Sequence, residues 1–383
     1  MEGNHKQQLI SMFSTCVTNS MTMRERIAKD TVGTSSPAER AILRRFSVNE
    51  AAELVGVSRQ AISAAQKEGR LPAPDRTGEG RLLGYTLHQI DNMRQLFGRF
   101  PWRDHPITLA VASNKGGSYK SSIAVHAAQW CALQGYRVLL IDTDPQGTAG
   151  DYFGYTSRWV DGDRTIAPWM FGKTESLAYA IHPTCWPRLD LIPANQELQR
   201  IDREMADMDL PYPPHLMLRA GIETVARNYD LVIVDGAPNL ADGTIAQVYA
   251  ADVLVCPTPA ELHDTASTEQ FFSLLLATTS ALPDDQVWAV PDVRILITKL
   301  ASDPRSSSQK VADEIRRTWG GLVLANPVKV TEEVGKAQLR MRTVFEQAAE
   351  ERSSRSAWLG AVNMWGDVMR EIMDTLIKPR WGA

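Results

Sequence analysis

The residues best equipped for chemistry in this chain of 383 residues lie in one short run, Lys115-Gly116-Gly117-Ser118-Tyr119-Lys120-Ser121-Ser122. The run joins a strand-length apolar stretch, 107–112, to a helical one. A glycine-bearing turn in that setting aims backbone N–H groups and the positive end of a helix dipole at an anion. Lys120 is spaced to reach the β- and γ-phosphates of a nucleotide, and the Ser121 hydroxyl to join Mg²⁺. Gly116 sits four residues before Lys120, and Tyr119 stands where the second glycine of the ordinary Walker pattern is usual. A chance glycine turn would have to supply strand, glycines, Lys-Ser and helix in this order.

Carboxylates follow at matching places. The run 138–141 ends in Asp142-Thr143-Asp144-Pro145-Gln146-Gly147, and 231–234 ends in Asp235. In open α/β sheets the C-terminal ends of neighbouring strands face one ligand crevice. Asp235 has the shape of a Walker B residue that holds Mg²⁺ through water. Taken alone, an ordinary turn or helix cap also explains it; three strand-end elements in series are harder to dismiss.

The elements that must position these residues follow from pattern. Near-continuous apolar runs at 107–112, 138–141, 189–192, 231–234, 253–256 and 293–297 predict parallel strands buried on both faces. Helical stretches between them predict right-handed crossovers. The fold class is therefore α/β, a doubly wound, mainly parallel sheet with a deviant P-loop. Ile123, Ala127, Trp130 and Cys131 are spaced to give the helix after the loop one apolar face.

A small helical winged helix-turn-helix domain is predicted ahead of the sheet. Segment 46–63 carries cap candidates Ser47 and Asn49, then Ala52, Leu54 and Val55 to bury a first helix. Gly56 permits a sharp turn, Val57 seals it, and Ser58 caps a second helix. Arg59, Gln60, Ser63 and Lys67 lie toward the N-terminal, solvent side of that helix, where side chains reach base edges or phosphates in a major groove. The glycine-rich stretch 72–81 reads as a wing, with Arg76 and Arg81 on the DNA backbone. The arrangement resembles winged MerR-type modules; an ordinary αα-hairpin is the competing reading. Charge agrees with the first: 40–103 holds 11 Lys/Arg against 6 Asp/Glu, or +5, inside a chain of net −4, which leaves −9 elsewhere. The predicted division is 1–37, an N-terminal helix and linker and a candidate dimerisation arm; 38–105, the DNA-binding domain; and 106–383, the ATPase domain.

The site residues resemble those of the ParA partition ATPases, within the deviant Walker MinD/ParA group. The match is K-G-G-x-x-K-S at Lys115 to Ser121, D-x-D-P-Q-G at Asp142 to Gly147, and Asp235-Gly236-Ala237-Pro238 with Asn239 in place of a second proline. It covers 107 to the C-terminus. Tyr119 and the preceding module point to the larger, SopA-like subtype.

The resemblance implies ATP/ADP and Mg²⁺ as cofactors, and a homodimer in which Lys115 crosses to the partner's phosphates. It implies that Asp144 positions the attacking water, that Asp142 is a switch carboxylate, and that Thr298 and Lys299 contact adenine. It further implies non-specific DNA coating in the ATP state, through basic residues such as Arg340 and Arg342 near Lys329 and Lys336. A ParB-like centromere-binding protein would stimulate slow hydrolysis, with operator binding and autorepression through the N-terminal module. Higher-order assembly on DNA stays open. A solvated helix face is the competing reading of the late basic residues, and a nucleotide-responsive repressor without a segregation role is the competing function.

Composition bounds the rest. No run of about 18 apolar residues predicts a membrane span. An iron-protein reductase of the same group needs paired cysteines, and Cys16, Cys131, Cys185 and Cys256 are scattered. The apolar stripe from Trp358 to Met373 predicts a helix packed on the sheet, since Asp367, Glu371 and Asp374 on its polar side disfavour anionic lipid. The expectation is a cytoplasmic, nucleoid-associated protein.

Overall fold

The computed structural model describes every residue except Met1, 32–35, Leu43, Thr77, Glu79, Arg81, Trp102, Asp104, 206–207, 238–241, 284–290 and Ala383. A first helix, α1 (Glu2–Thr31), carries exposed apolar side chains, among them Leu9, Ile10, Phe13 and Val17. Helices α2 (Val48–Val55) and α3 (Arg59–Lys67) follow. Strands β1 (Asp75–Arg76) and β2 (Leu82–Gly84) pair antiparallel. Helix α4 (Leu87–Phe97) completes the N-terminal part.

Local chemistry dictates these short elements. Ser47 and Glu50 form a reciprocal capping box on α2, and Gly56 ends it in the left-handed region at φ 73°. Ser58 caps α3, and Thr86 with Gln89 caps α4. Phe46, Ala51, Val55, Ile62, Tyr85 and Ile90 are buried and join the core of the main sheet.

That sheet has seven strands: β3 (Ile107–Val111), β4 (Val138–Asp142), β5 (His182–Pro183), β6 (Leu189–Ile192), β7 (Leu231–Asp235), β8 (Val253–Pro259) and β9 (Asp292–Thr298). Their spatial order is β5-β6-β4-β7-β3-β8-β9. All pairings are parallel except β5 with β6. The six apolar runs are thus six parallel strands. The antiparallel edge strand β5 gave no such signal, being two residues long with a proline. Each of β3, β4, β7 and β8 is buried along its length, as strands covered on both faces must be.

Helix α5 (Lys120–Leu133) crosses from β3 to β4. The single apolar face expected of it is corrected here. Nearly every residue of α5 is buried, because the sheet lies on one side and the C-terminal helix, Arg355–Ile372, packs on another. Arg94 of α4 adds a third contact. It is fully buried, donates to the carbonyls of Leu133 at the end of α5 and Leu54 near the end of α2, and pairs with Asp91 at 2.6 Å. The C-terminal helix buries Trp358, Trp365, Met369 and Ile372 as its stripe predicts, although Leu359 of that stripe is exposed.

Candidate nucleotide site and N-terminal module

The centre of the sheet builds the site. Strand β3 lies between β7 and β8, so the loop after it opens where three strands end. The loop turns through left-handed backbone at Gly117 (φ 69°) and Tyr119 (φ 77°). Tyr119 adopts the conformation usually left to glycine, and its half-buried ring packs against the core, which helps offset the backbone strain. It caps α5 without a side-chain hydrogen bond, so its own side chain leaves the first N–H groups of α5 uncovered.

Inside the loop, Lys120 donates from Nζ to the Lys115 carbonyl at 2.7 Å. Ser118 Oγ donates to the same carbonyl at 3.1 Å and lies 2.9 Å from Ser113 Oγ. Burial pushes the Lys120 ammonium down, while the Asp235 and Asp144 charges push it up. Lys115 is instead 42% exposed and ion-paired at 2.8 Å with Asp264, which is 4% exposed in the first turn of the helix Leu262–Ala281. No feature near Asp264 in sequence pointed to that pairing.

The expected carboxylates converge. Asp142 and Asp235 are cross-strand partners at the ends of β4 and β7. Asp142 is fully buried and accepts from the N–H groups of Asp144 at 3.0 Å and Gly150 at 3.1 Å. Burial and the Asp235 charge hold its carboxyl well above the usual range. Asp144 accepts from the Gln146 N–H at 2.9 Å. Asp235 is fully buried, and neither carboxylate oxygen has a well-formed hydrogen bond. Burial pushes its carboxyl up to about 7; the Asp144 charge adds to this, whereas the Ser121 hydroxyl and the Lys120 ammonium oppose it.

A buried carboxylate with two idle oxygens beside a hydroxyl fits a hard cation. Among the described residues no three His, Cys, Asp or Glu side chains form a complete metal cage.

Thr298 ends β9, fully buried, and its hydroxyl donates to the Ser118 carbonyl at 3.3 Å. Lys299 follows in left-handed backbone, its Nζ 4.0 Å from Glu261. A separate cleft of about 370 Å³, lined by Ser302, Val330, Thr331, Glu332 and Glu333 among others, includes neither residue in its wall. Pro238 and Asn239 lie outside the described residues.

In the N-terminal module, Ser58, Arg59, Gln60, Ser63 and Lys67 are all exposed along α3. Ser58 Oγ accepts from the Ala61 N–H at 3.1 Å. Arg76 is exposed on β1 and donates to the Gly80 carbonyl at 2.8 Å; Arg81 lies outside the described residues. Three of the late basic residues sit beside carboxylates. Arg340 and Arg342 stand 3.9 and 3.6 Å from Glu351, and Lys336 is 3.0 Å from Glu332.

The glycine-bearing loop after a central strand between β7 and β8, with a buried carboxylate ending β7, fits the doubly wound P-loop class. The chain matches the family model described as AAA domain over residues 107–282. It is 47% identical to Protein SopA of Escherichia coli (strain K12), over 98% of this chain and 99% of that protein. A solved structure called Partition Protein matches 95% of this chain and 98% of its own, with a TM-score of 0.66 at 18% identity. Cobyrinic Acid a,c-diamide synthase from Mycobacterium smegmatis, solved with bound ATP analog and magnesium, shares the fold at a TM-score of 0.55 and 24% identity, over 71% of this chain and 94% of its own. The chain belongs to the ParA-family partition ATPases. No described helix is long and apolar enough to cross a membrane.

Proposed function

We propose that the chain is a Mg²⁺-dependent DNA-partition ATPase that works as an ATP-bound homodimer and reads DNA through its N-terminal module. The observation that carries this reading is the buried, unpartnered Asp235 carboxylate beside Ser121 and Lys120 at the mouth of the phosphate loop. On this reading Gly116 to Ser122 cradle the phosphates with their backbone donors, and Lys120 exchanges the Lys115 carbonyl for a phosphate oxygen. Ser121 and Asp235 hold Mg²⁺, Asp235 through water. Asp144 positions the attacking water, and Asp142 relays the state of the site to the loop that follows. Thr298 and Lys299 contact the adenine.

Phosphoryl transfer is mainly positioning and charge neutralisation. A second lysine delivered by a partner copy acts as an arginine finger does, so Lys115 must leave Asp264 before turnover. Division into 1–37, 38–105 and 106–383 assigns the operator to α3 and the hairpin, with autorepression as the outcome. Arg340 and Arg342 serve non-specific DNA, and a ParB-like centromere-binding protein stimulates hydrolysis. The protein would act in the cytoplasm on nucleoid DNA. ATP turnover measured with and without Mg²⁺, DNA and the product of the adjacent gene tests the whole reading. Turnover that ignores all three additions would overturn it.

A further inference from the structure

Helix α5 hides a polar stripe whose side chains the proposed nucleotide chemistry does not use. Ser122, His126 and Gln129 recur at i, i+4 and i+7, on one face, and all are buried. Ser122 Oγ accepts from Gln338 Nε2 at 2.9 Å. His126 donates from Nδ1 to the Ser122 carbonyl at 2.6 Å, and its ring stacks on Trp365 at 3.9 Å. Gln129 donates to Glu346 and accepts from the Thr343 hydroxyl. Glu346, fully buried, faces Arg40 at 3.8 Å. Arg40 also donates to the Met341 carbonyl, and Arg44 to the Phe345 carbonyl at 3.1 Å.

The remaining buried surface of α5 is apolar: Ala124, Ala127, Ala128 and Ala132, with Ile123, Val125, Cys131 and Leu133. Apolar packing limits how far a helix turns about its axis. Buried hydrogen bonds in a low dielectric fix the angle more sharply, because a small rotation leaves polar groups unpaired. The first turn of α5 carries Lys120 and Ser121, so its rotation sets where both point.

We propose that Gln338 and Glu346 are positioning residues of the nucleotide site, holding α5 in rotational register through this stripe, with Arg40 of the N-terminal segment as the outer anchor. The inference rests on the ATP reading of the loop. It makes residues that touch no nucleotide determine how well ATP binds.

A double-mutant cycle on the full chain tests it, with steady-state ATP turnover and direct ATP binding as readouts. Gln338→Ala is expected to raise KM and Kd for ATP roughly fivefold, the scale of one buried hydrogen bond, with kcat changed less than twofold. In a Ser122→Ala background the same substitution should add less than twofold. Glu346→Gln should raise KM in the same way, and Arg40→Gln should add little on top of it. The proposal is overturned if Gln338→Ala leaves KM within twofold, if its effect multiplies with that of Ser122→Ala, or if kcat falls as much as KM rises. Should Glu346→Gln not fold, the Gln338–Ser122 cycle decides alone. A parent chain that binds no ATP would instead defeat the ATP reading itself.

Discussion

Two helices of this chain begin in ways that suit anions, and they differ in one respect. Helix α3 starts at Ser58, whose hydroxyl takes up an N–H of its first turn. Helix α5 starts at Tyr119, which offers no side-chain cap. The capped helix has spent a backbone donor on itself, so only its side chains remain to meet a ligand, and Arg59, Gln60 and Ser63 stand exposed for that. The uncapped helix keeps its backbone donors, and burial around it supplies the low dielectric in which charge neutralisation is strong. If, as proposed, α3 reads DNA and α5 holds phosphate, the first needs exchangeable side chains on a surface and the second fixed donors in a pocket.

Substitutions at the two starts should therefore separate cleanly. The largest effect is expected at α5, where Lys120→Ala should abolish ATP binding and turnover together while leaving operator binding by gel shift intact. Loss of both would break the comparison, since it would mean that the two helices share one function. Next, Lys115→Ala should keep ATP binding and lose roughly a thousandfold in turnover, the scale of a lost arginine finger. Unchanged single-turnover rates would leave Lys115 with only its Asp264 partner.

The buried helix should also be sensitive to acid where the exposed one is not. Burial pushes the His126 imidazole down to about 3 from an ordinary 6.5. The folded state keeps it neutral, while the unfolded chain takes up a proton below about pH 6.5. Its contribution is thus full above that pH and is lost as pH falls toward 3, by about 2 kcal/mol at pH 5. In urea titrations His126→Phe, which keeps a ring against Trp365, should lose less stability between pH 7 and 5 than the parent. An identical slope would exclude His126 as the cause.

On α3, Arg59→Ala should cost about 1–3 kcal/mol of operator affinity and leave ATP turnover within twofold. The smallest change sharpens the comparison most. Ser58→Ala should cost about 1 kcal/mol of stability through the lost cap, read as a lower thermal midpoint, with no effect on ATP affinity.

The parallel strands were legible because burial on both faces leaves an unbroken apolar run, as in 231–234 or 253–256. The phosphate loop was legible because its glycines, lysines and serines are adjacent in the chain. What could not be read was whatever depends on distant partners. That Asp142 and Asp235 share one crevice was legible from their strand ends, but that they are direct cross-strand partners depends on the strand order, which was not. Asp264 meets Lys115 across the site, and Gln338 meets Ser122, with no local motif for either. On α5 the apolar positions suggested one buried face, because Ser122, His126 and Gln129 look like solvent residues until their partners arrive from 338–346.

Arg94 has a practical consequence. Its guanidinium ties the end of α2 to the end of α5, while Arg40 and Arg44 reach the far segment 341–346. The N-terminal module is therefore no cassette to be clipped off or exchanged at residue 105. A truncated ATPase would bare the Leu133 carbonyl and the seat of Glu346, and a chimera with another DNA reader would need arginines at these three positions to hold its shape.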